Sequence, residues 1–72
     1  MKLYLPMKLK DTDVAKIVHL ANSTKKEVTA RSDRWVISAK SLLGMIALAH
    51  EGQLIELESE STKVMDIIAA LF

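Results

Sequence analysis

Ser41 is the residue of this chain best placed to do chemistry. It heads an uncharged run, residues 42 to 49, made of Leu42, Leu43, Gly44, Met45, Ile46, Ala47, Leu48 and Ala49. A serine hydroxyl at a helix start caps the first free N–H groups. A phosphate on that hydroxyl would meet the same groups and the positive end of the helix. The chemistry on offer is therefore acceptance of a phosphoryl group, not catalysis. His19 and His50 are the two histidines. His19 has no carboxylate or second histidine beside it to make a ligand or proton carrier and reads as a solvated helix residue. His50 falls in a last helical turn, where a cation suits the dipole. Gly-rich phosphate loops, metal-ligand clusters, nucleophile elbows and paired acid–base residues are missing from the sequence. The residues support a binding module, with no metal or cofactor, more than an enzyme.

These residues must be positioned by short elements. Residues 2 to 10 alternate strictly, with Leu3, Leu5, Met7 and Leu9 against Lys2, Tyr4, Pro6, Lys8 and Lys10, which predicts a half-buried strand. Pro6 has no N–H for a ladder, so this strand belongs at a sheet edge. Asp11, Thr12 and Asp13 are capping types, and Val14, Ile17, Val18 and Ala21 then form one helical stripe, predicting a helix over residues 13–22. Val28 and Ala30 alternate with Glu27, Thr29 and Arg31, Ser32-Asp33-Arg34 supplies a turn, and residues 35–38 return as the second arm of a hairpin. Trp35 at the start of that arm reads as a packing anchor.

The apolar helix follows over residues 41–50, with Gly52 suited to a left-handed position after its end. A short helix that is apolar on every side cannot bury all of itself in a domain of 72 residues, so some of its side chains must face outward, and an exposed apolar face implies a partner. Ile46, one turn after Leu42, is expected to share its face. Residues 53–59 form a fourth strand. Ser61 or Thr62 then caps a last helix with a broad stripe of Val64, Met65, Ile67, Ile68, Leu71 and Phe72. The order β-α-β-β-α-β-α predicts an α+β, two-layer open-faced sandwich: one domain over residues 1–72, with a four-stranded antiparallel sheet and three helices on one face.

Ten basic residues against nine acidic ones give a formal charge of +1, and no Lys/Arg run forms a nucleic-acid footprint. Without cysteine there are no disulfides, and no apolar run approaches the ~20 residues of a membrane span. A cytoplasmic protein is expected, with no nucleic-acid or membrane partner.

The element order, together with Ser38-Ala39-Lys40-Ser41-Leu42-Leu43-Gly44-Met45-Ile46-Ala47-Leu48, resembles the HPr family, the histidine-containing phosphocarriers of the bacterial sugar phosphotransferase system. The resemblance covers nearly the whole chain and is most specific around Ser41. It implies a sheet of order 1-4-2-3. It also implies an active-site histidine just before the first helix, which this chain lacks: counting back from Ser41, Lys10 occupies the expected position, and the motif arginine and proline fall on Thr12 and Asp13. Lysine is mostly protonated at neutral pH and a poor nucleophile, and Asp11 and Asp13 would repel a phosphoryl group. Ser41 matches the site modified by HPr kinase/phosphorylase. Leu42, Leu43 and Ile46, with Lys40 beside them, match positions that dock that kinase and the catabolite control transcription factor. Serine kept and histidine lost is the pattern of catabolite-repression HPr-like proteins, which regulate by binding. A different expectation is a structural or assembly module forming a homodimer through the apolar helix or through exchange of the first strand.

Overall fold

The computed structural model describes residues 1–5, 9–33, 35–51 and 54–72. Along the chain lie β1 (Lys2–Leu5), α1 (Asp11–Ala21), β2 (Val28–Ser32), β3 (Trp35–Ser38), α2 (Leu42–His50), β4 (Ile55–Ser59) and α3 (Thr62–Leu71). The strands form one antiparallel sheet of order β1-β4-β2-β3, as the sequence resemblance implies. Alternation sorts the strand side chains between its faces. Leu5, Val28, Ala30, Ser32, Ile55, Leu57 and Ser59 are buried beneath the helices. On the open face Glu56 meets Lys2 at 3.7 Å, Arg31 at 3.5 Å and the Tyr4 hydroxyl at 3.3 Å.

The core is Leu5, Val28, Ala30, Ile55 and Leu57 from the sheet and Ala39 just after β3, together with Val14, Ile17, Val18 and Ala21 of α1, Met45 and Leu48 of α2, and Val64, Met65 and Ile68 of α3. Ser61 caps α3, its hydroxyl accepting from the Val64 N–H at 3.5 Å.

Several boundaries differ from those expected. The first strand stops at Leu5; Leu9 packs partly on the core and Lys10 is the N-cap of α1. Pro6, Met7, Lys8, Gly52 and Gln53 lie outside the described residues, while β1 is an edge strand by its place in the order. Helix α1 begins two residues early. The extended Lys10 carbonyl accepts from the Asp13 and Val14 N–H groups, and the Asp13 carboxylate accepts from the Lys10 N–H at 3.3 Å. The aspartates thus serve the first turn from within. Ser32, expected in the turn, is the last residue of β2 and is buried. Among the described residues Asp33 takes a positive φ, at 52°. In α3 only Val64, Met65 and Ile68 of the expected stripe are buried, because a single sheet face covers a narrower arc than the apolar residues occupy.

Trp35 is the largest departure: it is not a packing anchor but 54% exposed. It sits on the outermost strand, opposite Ser32 at the hairpin end, where no neighbouring strand and only the edge of α2 is available to cover an indole.

Candidate functional site

Ser41 becomes a cap because its backbone stays extended, at φ −93° and ψ 112°, while its carbonyl already accepts from the Met45 N–H at 3.0 Å. Its hydroxyl accepts from the Gly44 N–H at 3.2 Å, and the residue is exposed. Gly44 matters to this arrangement. A Cβ on it would stand 2.9 Å from Ile37 Cδ1 and 3.2 Å from the Ser41 hydroxyl oxygen, so the glycine lets the start of α2 lie close to β3 without crowding the cap.

The first turn of α2 contains no acidic residue. Its free N–H groups therefore present positive potential that no carboxylate of that turn offsets. The first turn of α1 differs, carrying Asp11 and Asp13. Two carboxylates at that helix start neutralise its dipole and repel anions. The first turn of α3 is also free of acidic residues, but its capping Ser61 is buried, whereas Ser41 is exposed.

Lys40, expected among the partner-binding residues, is half-buried and also structural. Its ammonium donates to the Thr24 carbonyl at 2.6 Å, and its own carbonyl accepts from the Asn22 side chain at 3.1 Å. The pair of bonds ties the segment before α2 to the residues that follow α1, and it directs the Lys40 ammonium to the Thr24 carbonyl.

The apolar residues of α2 divide by face. Met45 and Leu48 are buried, and Ile46 is half-buried against the core. Leu42 is 46% exposed and Leu43 82% exposed. An apolar surface thus lies within one helical turn of Ser41, as expected from the sequence, with Leu43 as its most prominent member. The expectation that Ile46 shares the face of Leu42 is met only in part, since Ile46 leans toward the core.

Lys10, at the expected histidine position, is exposed at the head of α1. His19 is exposed on α1. His50 does more than sit at a helix end: its Nε2 lies 3.2 Å from Asp11 Oδ1, joining the last turn of α2 to the first of α1. Both side chains are well exposed, so the pair contributes little to stability, on the order of 0–1 kcal/mol. The sequence gives no sign of this contact, because the partners are 39 residues apart. Among the described residues no group of three or more His, Asp or Glu could hold a metal ion. Among the described residues no helix is long and apolar enough to cross a membrane.

No family model matches the chain, and no curated protein matches it. Solved structures do. HPr-C-His from Thermoanaerobacter tengcongensis superposes with a TM-score of 0.79 at 19% identity, over 99% of this chain and 89% of that one. The phosphocarrier protein HPr from Bacillus anthracis str. Ames gives 0.70 at 22% identity, over 99% and 90%. At such identities the likeness concerns architecture, and over nearly its full length this chain has the fold of the HPr phosphocarrier proteins.

Proposed function

We propose that this chain is a regulatory binding module of the HPr type that carries no phosphoryl group on histidine and acts through Ser41 and the α2 surface. The observation that carries the reading is the exposed Ser41 hydroxyl at the start of a helix with no acidic first-turn residue, next to exposed Leu42 and Leu43. The partners are proteins, an HPr kinase/phosphorylase-like enzyme and a transcription-factor-like target. The setting is the cytoplasm, and the chain is itself no enzyme. Phosphate on Ser41 adds about 1.5 to 2 negative charges beside an apolar face, enough to decide which partner docks.

The reading is tested by incubation with HPr kinase/phosphorylase and ATP followed by mass spectrometry. One phosphate is expected, on Ser41, and none on the Ser41→Ala variant, which should also lose about 1 kcal/mol of stability with its cap. Absence of modification, or modification elsewhere, would sink the switch.

The carrier reaction is expected to fail. It needs a neutral imidazole nitrogen as nucleophile, and at the head of α1 stand Lys10, Asp11 and Asp13. Incubation with enzyme I and labelled phosphoenolpyruvate should give no acid-labile, base-stable adduct on His19 or His50. Such an adduct would refute this half of the proposal.

A further inference from the structure

The two edges of the sheet are not alike. Edge β1 carries Lys2, which is paired with Glu56, and its sequence runs on into Pro6 and Lys8. Charge and proline are the usual protections of an edge strand against pairing with another chain. Edge β3, Trp35-Val36-Ile37-Ser38, has neither within the strand, the nearest charges in sequence being Arg34 before it and Lys40 after it. Trp35 is 54% and Val36 56% exposed, so this edge holds apolar side chains in water.

The hydrogen-bonding phase of β3 is fixed by its hairpin. Ser32 and Trp35 flank a two-residue connection, and the Ala39 N–H donates to the Val28 carbonyl at 2.7 Å. By alternation Trp35, Ile37 and Ala39 direct their backbone groups to β2, and Val36 directs its N–H and carbonyl to the open edge. Side chains follow the same alternation. Trp35 and Ile37 stand opposite Ser32 and Ala30, on the helix side, and Val36 stands opposite Arg31 on the open face. Beside Trp35 and Ile37, the small Ala47 leaves an apolar slot of about 270 Å³ that is bounded by Leu48 and Glu51.

We propose that a second copy of this chain fills this edge, its β3 pairing antiparallel with β3 about a two-fold axis at Val36. Opposed residues must share a sheet face, so Val36 meets Val36 of the partner subunit and Trp35 meets Ile37 of the partner subunit. The Val36 pair exchanges both of its outward hydrogen bonds. The Trp35 and Ile37 pair takes the non-hydrogen-bonded position, where side chains approach most closely. Each indole then enters the partner's slot over Ile37 and Ala47. The contact is isologous, closes at two subunits and opposes no like charges along the strand. A four-residue strand and one slot fall below the ~800 Å² per partner of a standard interface, so association is weak, with a dissociation constant of roughly 10 µM to 1 mM. This pairing uses neither Ser41 nor Leu43 and stands apart from the proposed switch.

Trp35 is the only tryptophan and the chain has no cysteine, so two direct readouts exist. Sedimentation equilibrium from about 5 µM to 1 mM should show mass rising toward a dimer, with tryptophan emission moving to the blue over the same range. Val36→Glu, at an exposed site opposite Arg31, should keep the circular dichroism and urea midpoint of the parent yet weaken association at least about tenfold, since two carboxylates would face each other at the axis. Val36→Cys should form an intersubunit disulfide on mild oxidation, because hydrogen-bonded antiparallel partners lie about 5.5 Å apart at Cα, within disulfide range. Lys2→Cys, at the other edge, should cross-link far more slowly. A monomer at every concentration overturns the proposal. So does a dimer indifferent to Val36→Glu, or Val36→Cys cross-linking no faster than the control.

Discussion

Truncating Leu57 to alanine should lower the free energy of unfolding by about 2–5 kcal/mol, the range for deleting a buried leucine side chain that the surroundings cannot refill. Leu57 is fully buried at the centre of β4, paired with Leu3 on one side and Ala30 on the other. Neither neighbour can close the gap: Ala30 is too short, and Leu3 is fixed by its own ladder. A 72-residue domain has only roughly 4–11 kcal/mol of stability in all, so the variant should be substantially unfolded at 37 °C at the lower end of that range. Urea unfolding followed by circular dichroism measures it, with a fall in midpoint at unchanged slope. Leu57→Met, which nearly conserves volume, should cost under about 1.5 kcal/mol. A small loss with alanine would show that β4 is not the centre of the core.

Changing Leu43 to glutamate should do the opposite, leaving the fold intact and removing recognition. Leu43 is 82% exposed, so the urea midpoint should move by no more than the equivalent of about 0.5 kcal/mol. If the α2 surface docks the kinase, a charge at its most prominent apolar residue should lower kcat/KM for Ser41 phosphorylation by about 30-fold or more. That matches a hot-spot loss of about 2 kcal/mol. Met45→Ala provides the contrast, since Met45 is fully buried on the same helix and its truncation should act on stability. Equal kinase kinetics for the parent and Leu43→Glu would place the docking surface elsewhere.

The two variants mark the boundary between local and long-range information. Leu57 is legible as a core residue because it alternates with Glu56 and Glu58, and a strand has only two faces. The stripe of Val14, Ile17, Val18 and Ala21 is legible for the same kind of reason, and all four are buried. Leu43 is different. On a helix with no polar face, no periodicity separates Leu43 from Met45, and only the sheet on one side of α2 makes one exposed and the other buried. A helix apolar on every side must turn some of these side chains outward in so small a domain, but its sequence does not select which.

By itself, then, the sequence determined the order and type of the seven elements, the inward faces of α1, β2 and β4, the Ser41 cap and the absence of a histidine before α1. These follow from backbone periodicity and capping chemistry, which act over a few residues. The tertiary structure decided the rest. It left Trp35 in water, because β3 is an outer strand with no neighbour to cover an indole. It engaged Lys40 with the Thr24 carbonyl and brought His50 to Asp11, contacts 16 and 39 residues apart that no local pattern encodes.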